Sequence, residues 1–106
     1  MTRDDATQVL GSYRQQIDDL DLRILQLLNQ RASIVEQIGR VKQSAAMPIY
    51  EPRREDMVFQ NVTSHNTGPL GSEAVKRVFE RIIDEMRKVQ SDRMTVEKLD
   101  SDKKQC

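Results

Sequence analysis

The chain has 106 residues, which is the size of one domain. It carries 17 basic and 17 acidic residues, and this balance argues against a broad electrostatic surface for nucleic acid or anionic lipid. Only 37% of the residues are hydrophobic, so a monomer of this length would bury little apolar surface and we expect an oligomer. No apolar run approaches the length of a membrane span, and the N-terminus lacks the apolar core of a signal peptide, so we expect a cytoplasmic protein.

The first predicted element is a very long helix, from about residue 6 to about residue 44. Apolar residues recur along it at steps of four and three, which is typical of a heptad seam. The seam positions are Tyr13, Ile17, Leu20, Ile24, Leu27, Arg31, Ile34, Ile38 and Val41. A second apolar stripe lies beside the seam and comprises Leu25, Leu28, Ala32 and Val35. A helix of this length without an internal cap indicates packing between chains.

The second predicted element is a short helix. Met47 precedes a proline and is therefore disfavoured in a helix, whereas Pro52 suits the first turn of a new one. The helix is expected to end in the turn-forming run 64–69.

The third predicted helix begins with Ser72 as its N-cap and reaches about Gln90. The tail 91–106 is polar and weakly patterned, so we expect it to be frayed or disordered, although a few apolar residues in it allow some extension of the helix. No segment alternates apolar and polar residues as a strand does. The sequence thus predicts an all-α fold, with a helical domain over 1–90 and a tail over 91–106.

Two cations lie on the apolar face of the first helix. Arg31 takes a seam position where the heptad pattern favours Leu or Ile, and a charge there is costly unless it is paired. Either its stem packs while its head reaches water or a carboxylate, or it belongs to a site for a carboxylate or phosphate. Lys42 lies about three turns later, roughly 16 Å along nearly the same face. A small dianionic ligand between the two cations would satisfy both.

Further polar side chains lie on the other two helices. Glu51 and Glu55 stand at the start of the second helix with Arg54 beside them. These acids either complement the helix dipole or accept hydrogen bonds from ligand hydroxyls. Gln90 continues the apolar line of the third helix, either as part of a frayed end or as an amide donor. A packed bundle would point Glu55 and Gln90 into the same interior as the two cations of the first helix.

Arg14 lies on the same stripe of the first helix as Lys42. A straight helix separates these two residues by about 42 Å, so one chain cannot bring both to one small ligand. If Arg14 contributes to the site, it must come from a second chain packed antiparallel. This reasoning predicts a homodimer with shared sites.

Several other chemistries lack the residues that they need. Cys106 has no partner for a disulfide or a CxxC metal site. His65 is the sole histidine and lies in a predicted turn, which argues against zinc. The sequence contains neither a P-loop nor a dinucleotide-binding glycine motif, and no Ser-His-Asp or Cys-His set can be placed. We therefore expect neither a metal nor a cofactor.

Three motifs in register resemble those of a known family. The first, I-D-x-L-D-x-x-I-L-x-L-L-x-x-R, runs from 17 to 31, with Arg14 before it and I-G-x-V-K, ending at Lys42, after it. The second is P-x-x-x-P-x-R-E over 48–55, and the third is F-x-x-I-I-x-x-x-R-x-x-Q over 79–90. Their order and spacing are similar to those of the all-helical class of chorismate mutases, over roughly residues 10 to 90.

This resemblance implies an intertwined dimer of three-helix chains. It also implies the rearrangement of chorismate to prephenate, a pericyclic isomerisation in phenylalanine and tyrosine biosynthesis that needs no cofactor. Arg31 and the partner's Arg14 would hold the substrate's two carboxylates. Lys42 and Gln90 would donate to its ether oxygen, and Glu55 would take its ring hydroxyl.

The resemblance also assigns residues around this centre. The backbone near Glu51 would help to hold the ring hydroxyl, and Arg54 would line the same wall. Many relatives have Asp at position 51, so Glu51 is a longer arm. Met86 stands where many relatives have a small polar residue near a substrate carboxylate, and we expect weaker substrate binding from this difference rather than different chemistry.

Alternative functions remain open. An isochorismate-pyruvate lyase shares the scaffold and the cationic clamp, although the acids at 51 and 55 favour the mutase. A catalytically silent helical dimer, as a regulatory module or a part of a larger aromatic-pathway enzyme, would have no reason to need Arg31, Lys42 and Gln90. Nucleic-acid binding would need a basic stripe, which the sequence lacks. Docking on another shikimate-pathway enzyme is compatible with the sequence.

Overall fold

The computed structural model describes the backbone of residues 1–104 and the side chains of residues 1–92. It contains the helices α1 (Arg3–Ser44), α2 (Pro52–Ser64) and α3 (Ser72–Lys104), and no strand occurs within 1–104. The prediction of an all-α fold with one very long first helix is confirmed. Over the described residues, none of the helices combines the length and the apolar character that crossing a bilayer requires.

The chain divides into two compact units. The first unit, Met1–Ser33, consists mostly of α1. The second unit, Ile34–Cys106, contains the end of α1 together with α2 and α3. The small apolar core of the second unit is formed by residues between 6% and 9% exposed, namely Val35, Val75, Ile83 and Met86.

The start of α1 is fixed by a reciprocal pair of hydrogen bonds. The backbone N–H of Asp5 donates to the hydroxyl of Thr2 at 3.1 Å, and the backbone N–H of Thr2 donates to the carboxylate of Asp5 at 3.3 Å. This arrangement is a capping box, with Asp in the place of the usual Glu or Gln. It starts the helix at Arg3, ahead of the predicted start near residue 6.

The end of α1 is a hydrogen-bonded turn. The backbone N–H of Met47 donates to the carbonyl of Lys42 at 2.8 Å, and that of Ala46 donates to the carbonyl of Gln43 at 3.3 Å. These two bonds form a Schellman motif, in which the residue at the Ala46 position is left-handed. Its φ is 55°, although it is not glycine. The helix ends at this turn, and the segment 45–51 that follows lies beside Lys42.

The helix α2 begins as predicted and α3 does not end as predicted. Pro52 is the first residue of α2, where its missing N–H costs no hydrogen bond. In α3 the carbonyl of Gly71 accepts the first helical bond, from Val75, so Gly71 rather than Ser72 occupies the N-cap position and that prediction is wrong by one residue. The helix continues past Gln90 to Lys104, because the sequence contains no Gly or Pro after Gly71 to stop it. The division into a domain over 1–90 and a tail over 91–106 stays a prediction.

The predicted heptad seam of α1 is exposed in the single chain. Its apolar members are between 42% and 65% exposed, and they are Tyr13, Ile17, Leu20, Ile24 and Leu27 in the first unit and Ile34, Ile38 and Val41 in the second. The buried residues of α1 are instead Val35, Gly39 and Lys42, on the neighbouring stripe. The chain thus presents a row of large apolar side chains that it does not cover itself.

Candidate active site

A buried lysine lies at the centre of the polar cluster in the second unit. Lys42, in the last turn of α1, is only 6% exposed. Its Nζ is 2.6 Å from Oε1 of Glu51, and it donates hydrogen bonds to the carbonyl of Ile49 at 3.0 Å and to Oε1 of Gln90 at 3.4 Å. An ammonium group has three protons, so these acceptors use its full donor capacity. The cation is therefore fixed in position in a place that water barely reaches.

The side chain of Glu51 does not serve its own helix. Glu51 is the N-cap residue of α2, and its carbonyl accepts the first helical bond from Glu55 at 3.1 Å. Helices are usually capped by the shorter side chains of Ser, Thr, Asp or Asn, and Glu51 makes no side-chain capping bond. Its carboxylate reaches Lys42 instead, so the start of α2 supplies the counter-charge for the end of α1.

A close approach of two helices brings Gln90 to Lys42. A Cβ built on Gly39 would lie 3.5 Å from Cγ of Gln90 and 3.7 Å from its Cα, so the backbones of α1 and α3 nearly touch here. Gln90 is 8% exposed and uses its carbonyl oxygen to accept from Lys42. Its amide NH₂ is the part of the side chain that can donate to a ligand.

A second ion pair links α2 to α3. Oε1 of Glu55 lies 3.4 Å from Nη2 of Arg87, and the two side chains are 18% and 39% exposed. Two atoms of this pair, Oε2 of Glu55 and Nε of Arg87, are buried without a hydrogen-bond partner. Buried polar atoms are normally paired, so an unpaired acceptor and donor at one place indicate a position where a polar ligand can bind.

The structure brings together only some of the predicted site residues. Lys42, Gln90 and Glu51 form one cluster, and Glu55 lies on the same helix as Arg54, which is exposed. Met86 is buried at 8% exposure in the core of the second unit. The remaining two predicted residues belong to the first unit, where Arg14 is exposed and Arg31 is half-buried.

No role was predicted for Arg87, and Glu51 was predicted to complement the helix dipole, to accept from a ligand hydroxyl or to contribute its backbone, but not to pair with Lys42. Arg87 is part of the third motif, three residues before Gln90, and its place in that motif was the available signal. The longer side chain of Glu51 was the signal for its contact with Lys42. The structure adds both side chains to the polar groups of the second unit.

The chemistry available to this arrangement is hydrogen-bond donation from a fixed positive charge. Gln90 can turn its amide NH₂ toward a ligand oxygen, and Lys42 can donate to the same oxygen when the ligand replaces one of its present acceptors. Glu55 offers an unpaired carboxylate oxygen to a hydroxyl. Among the residues whose side chains are described, no group of His, Cys, Asp or Glu is arranged to hold a metal ion. The fold and the cluster define an all-helical protein with a buried lysine, a type of group that can stabilise negative charge on a ligand.

Comparison with known proteins identifies the family. The sequence profile of the chorismate mutase type II family matches residues 13–91. The chain therefore belongs to the chorismate mutase type II family.

Two relatives are similar to half or more of the chain. The chain is 38% identical over 78 residues to the bifunctional chorismate mutase/prephenate dehydratase of Neisseria gonorrhoeae, a match that covers 74% of this chain and 21% of that protein. It is 30% identical over 53 residues to the chorismate mutase of Methanocaldococcus jannaschii, covering 50% of this chain and 54% of that one. The chain thus spans about a fifth of the length of the bifunctional relative.

Solved structures match the fold along most of their length. The chorismate mutase (form II) of Thermus thermophilus superimposes with a TM-score of 0.76 at 28% identity, covering 77% of this chain and 93% of that one. The chorismate mutase of Helicobacter pylori in complex with prephenate gives a TM-score of 0.78 at 27% identity, covering 83% of this chain and 96% of that one.

Proposed function

We propose that the chain is an isomerase that converts chorismate to prephenate. The observation that carries this proposal is the buried Lys42 hydrogen-bonded to Gln90 at 3.4 Å, because these are the two residues that would donate to the ether oxygen of chorismate. Membership of the chorismate mutase type II family supports the same activity.

The proposed mechanism places Lys42 at the bond that breaks. Negative charge grows on the ether oxygen as the C–O bond lengthens, so a fixed ammonium interacts more strongly with the transition state than with the substrate. The bond from Lys42 to Gln90 is the longest of the lysine's three contacts. When chorismate binds, the hydrogen bond between Lys42 and Gln90 would be replaced by one bond from each of these residues to the ether oxygen. The contacts of Lys42 with Glu51 and Ile49 would stay in place.

Glu55 is proposed to bind the ring hydroxyl of the substrate. Its Oε2 is buried and lacks a donor, and a hydroxyl would supply one. The backbone near Glu51 is proposed to assist, with Arg54 along the same wall and Met86 near a substrate carboxylate.

The remaining proposed contacts require a second copy of the chain. The exposed apolar seam of α1 supports a homodimer in which the long helices pair. Arg31 and the partner's Arg14 would then hold the two carboxylates of chorismate. This clamp would select the folded conformer of the enolpyruvyl arm and so lower the entropic part of the barrier. The cytoplasmic location and docking on another enzyme of the same pathway also stay predictions.

The activity is tested by the loss of chorismate absorbance with purified protein, with the product identified by its acid conversion to phenylpyruvate. Lys42→Ala is expected to lose about 2 to 4 kcal/mol of transition-state stabilisation, a range taken from oxyanion-hole deletions. This range corresponds to a fall in kcat/KM of roughly 30-fold to 1,000-fold. The matched control is Lys88→Ala, which removes a lysine that is 64% exposed on α3 and should leave kcat/KM within about twofold.

Different outcomes separate the competing functions. A Lys42→Ala variant with near-normal kcat/KM would refute the proposed role of this lysine. Arg31→Leu with full turnover would refute the proposed clamp. Protein that leaves chorismate unchanged but releases pyruvate from isochorismate would be a lyase, and protein inactive on both would be a silent module.

A further inference from the structure

We infer that Arg87 is a positioning residue, which holds one oxygen of the Glu55 carboxylate so that the other oxygen faces the substrate hydroxyl. This inference rests on the proposed function, because it concerns how the same site recognises its substrate.

The geometry divides the Glu55 carboxylate between two tasks. Oε1 lies 3.4 Å from Nη2 of Arg87 on the neighbouring helix, whereas Oε2 is buried and has no partner. A carboxylate on a flexible side chain can rotate, and an ion pair at one oxygen restricts that rotation. The oxygen left over is then presented in a fixed direction as an acceptor.

Arg87 is itself held by two further groups. The ring of Tyr50, in the segment before α2, lies 5.5 Å from its guanidinium carbon, within the range of a cation–π contact. Asp84, one turn earlier on α3, forms a second ion pair with Nη2. The guanidinium therefore connects α2, α3 and the segment between α1 and α2. These contacts limit its movement, and so the movement of the Glu55 oxygen that it binds.

The unpaired buried atoms point to a ligand at this ion pair. Among the described side chains, the buried polar atoms without a partner are Oε2 of Glu55 and Nε of Arg87. Their coincidence in one ion pair is expected if the pair faces a polar ligand, and it is costly in a pair that serves the fold alone.

The inference predicts which kinetic parameter changes. The substrate hydroxyl is bound equally in the ground state and the transition state, because it takes no part in the bonds that break and form. Loss of this contact should therefore raise KM with little change in kcat. Arg87→Met, which keeps much of the side-chain length and removes the charge, is expected to raise KM about tenfold and to leave kcat within about threefold.

The experiment measures steady-state kinetics of chorismate conversion for six proteins. These are the unaltered chain, Arg87→Met, Arg87→Lys, Glu55→Gln, the double variant Glu55→Gln/Arg87→Met and, as the matched control, Arg81→Met. Arg81 is another α3 arginine, 73% exposed and paired with Glu85 at 2.8 Å, and its loss should leave both kinetic parameters within about twofold. Circular dichroism of each variant establishes that it is folded.

The double-mutant cycle separates positioning from a general structural role. If Arg87 acts through Glu55, Arg87→Met should raise KM much less in the Glu55→Gln background than in the unaltered chain. Arg87→Lys keeps the charge but loses the planar guanidinium that contacts Tyr50, so its KM should lie between those of the unaltered chain and Arg87→Met.

The possible failures are distinguishable. An unaltered chain that does not convert chorismate would overturn the proposed function, and with it this role of Arg87. An active chain whose Arg87→Met variant keeps its KM within twofold would overturn the role of Arg87 alone. An equal rise of KM in both backgrounds, or a fall in kcat with unchanged KM, would also overturn it.

Discussion

The candidate site depends most on Lys42, whose ammonium group is buried away from water. Lys42 is 6% exposed, and the cost of burying its ammonium group is offset by Glu51 at 2.6 Å and by two further oxygen atoms that accept from it. The side chain of Glu51 is 43% exposed, so the pair is partly screened by water. Glu51 is thus expected to stabilise the fold more than a surface partner does and less than a fully buried one.

Glu51→Gln tests this charge pairing. Glutamine keeps an acceptor oxygen and removes the negative charge, so the loss reflects the uncompensated charge of Lys42. We expect the free energy of unfolding to fall by about 1 to 2 kcal/mol. Urea denaturation followed by circular dichroism, at one fixed protein concentration, measures the change.

The control for this prediction is the same substitution in a surface ion pair. Glu85 is 47% exposed and pairs with Arg81 and Lys88. Glu85→Gln should change the free energy of unfolding by less than about 0.5 kcal/mol. Equal losses for the two variants would mean that Glu51 is an ordinary surface partner.

The sequence predicted which polar residues are buried better than it predicted their partners. Lys42 and Gln90 interrupt apolar stripes at helical spacing, and this placement determines that their side chains point inward. Nothing in the spacing states that Glu51 forgoes capping for Lys42, or that Arg87 meets Glu55. Those contacts depend on how α2 is oriented against α3, which is a tertiary property.

At the scale of elements, the turn after α1 determines the path that the segment 45–51 takes past Lys42. Ala46 adopts a φ of 55°, a conformation that costs an L-residue about 1 to 2 kcal/mol. Glycine avoids this cost, although it loses roughly 0.4 to 1 kcal/mol through the greater freedom of the unfolded chain. Ala46→Gly is therefore expected to raise the free energy of unfolding by about 0.5 to 1 kcal/mol, measured by urea denaturation.

The adjacent alanine provides the control for this turn. Ala45 is not among the residues with positive φ, so glycine there gains nothing in the folded state. Ala45→Gly should lower the free energy of unfolding by about 0.5 to 1 kcal/mol. If both glycines shifted stability in the same direction, the left-handed strain at Ala46 would not be the cause.

The helices themselves were predictable because their signals are local. Heptad spacing, Pro52 and the turn-forming run after α2 gave the number and order of the helices. The errors occur at helix ends, where the capping box of Thr2 and Asp5 extends α1 and the absence of Gly or Pro extends α3. A weak apolar pattern does not end a helix when no residue opposes its continuation.

At the scale of the whole molecule, the exposed seam of α1 and the position of Arg14 both favour the proposed homodimer. A chain with a small core exposes a row of large apolar residues along α1, and a second copy is the natural partner for a heptad seam. In an isologous dimer both chains use the same surface, so every contact that one chain makes to its partner is also made by the partner in return. A site that needs Arg14 from the other chain would then occur twice in each dimer.

Mixed dimers test this sharing directly. Arg14→Ala and Lys42→Ala chains, carrying different affinity tags, are co-expressed, and the mixed dimer is purified through both tags. Each parent dimer has two defective sites and should be inactive. In the mixed dimer one site combines the intact Lys42 of the first chain with the intact Arg14 of the second, so about half of the unaltered kcat per dimer should return.

The control pair is Lys42→Ala with Gln90→Ala, in which each chain damages its own site and no activity should return. A mixed Arg14→Ala/Lys42→Ala dimer as inactive as its parents would mean that Arg14 is not donated across the interface, whereas recovery by the control pair would mean that Lys42 and Gln90 do not serve the same site.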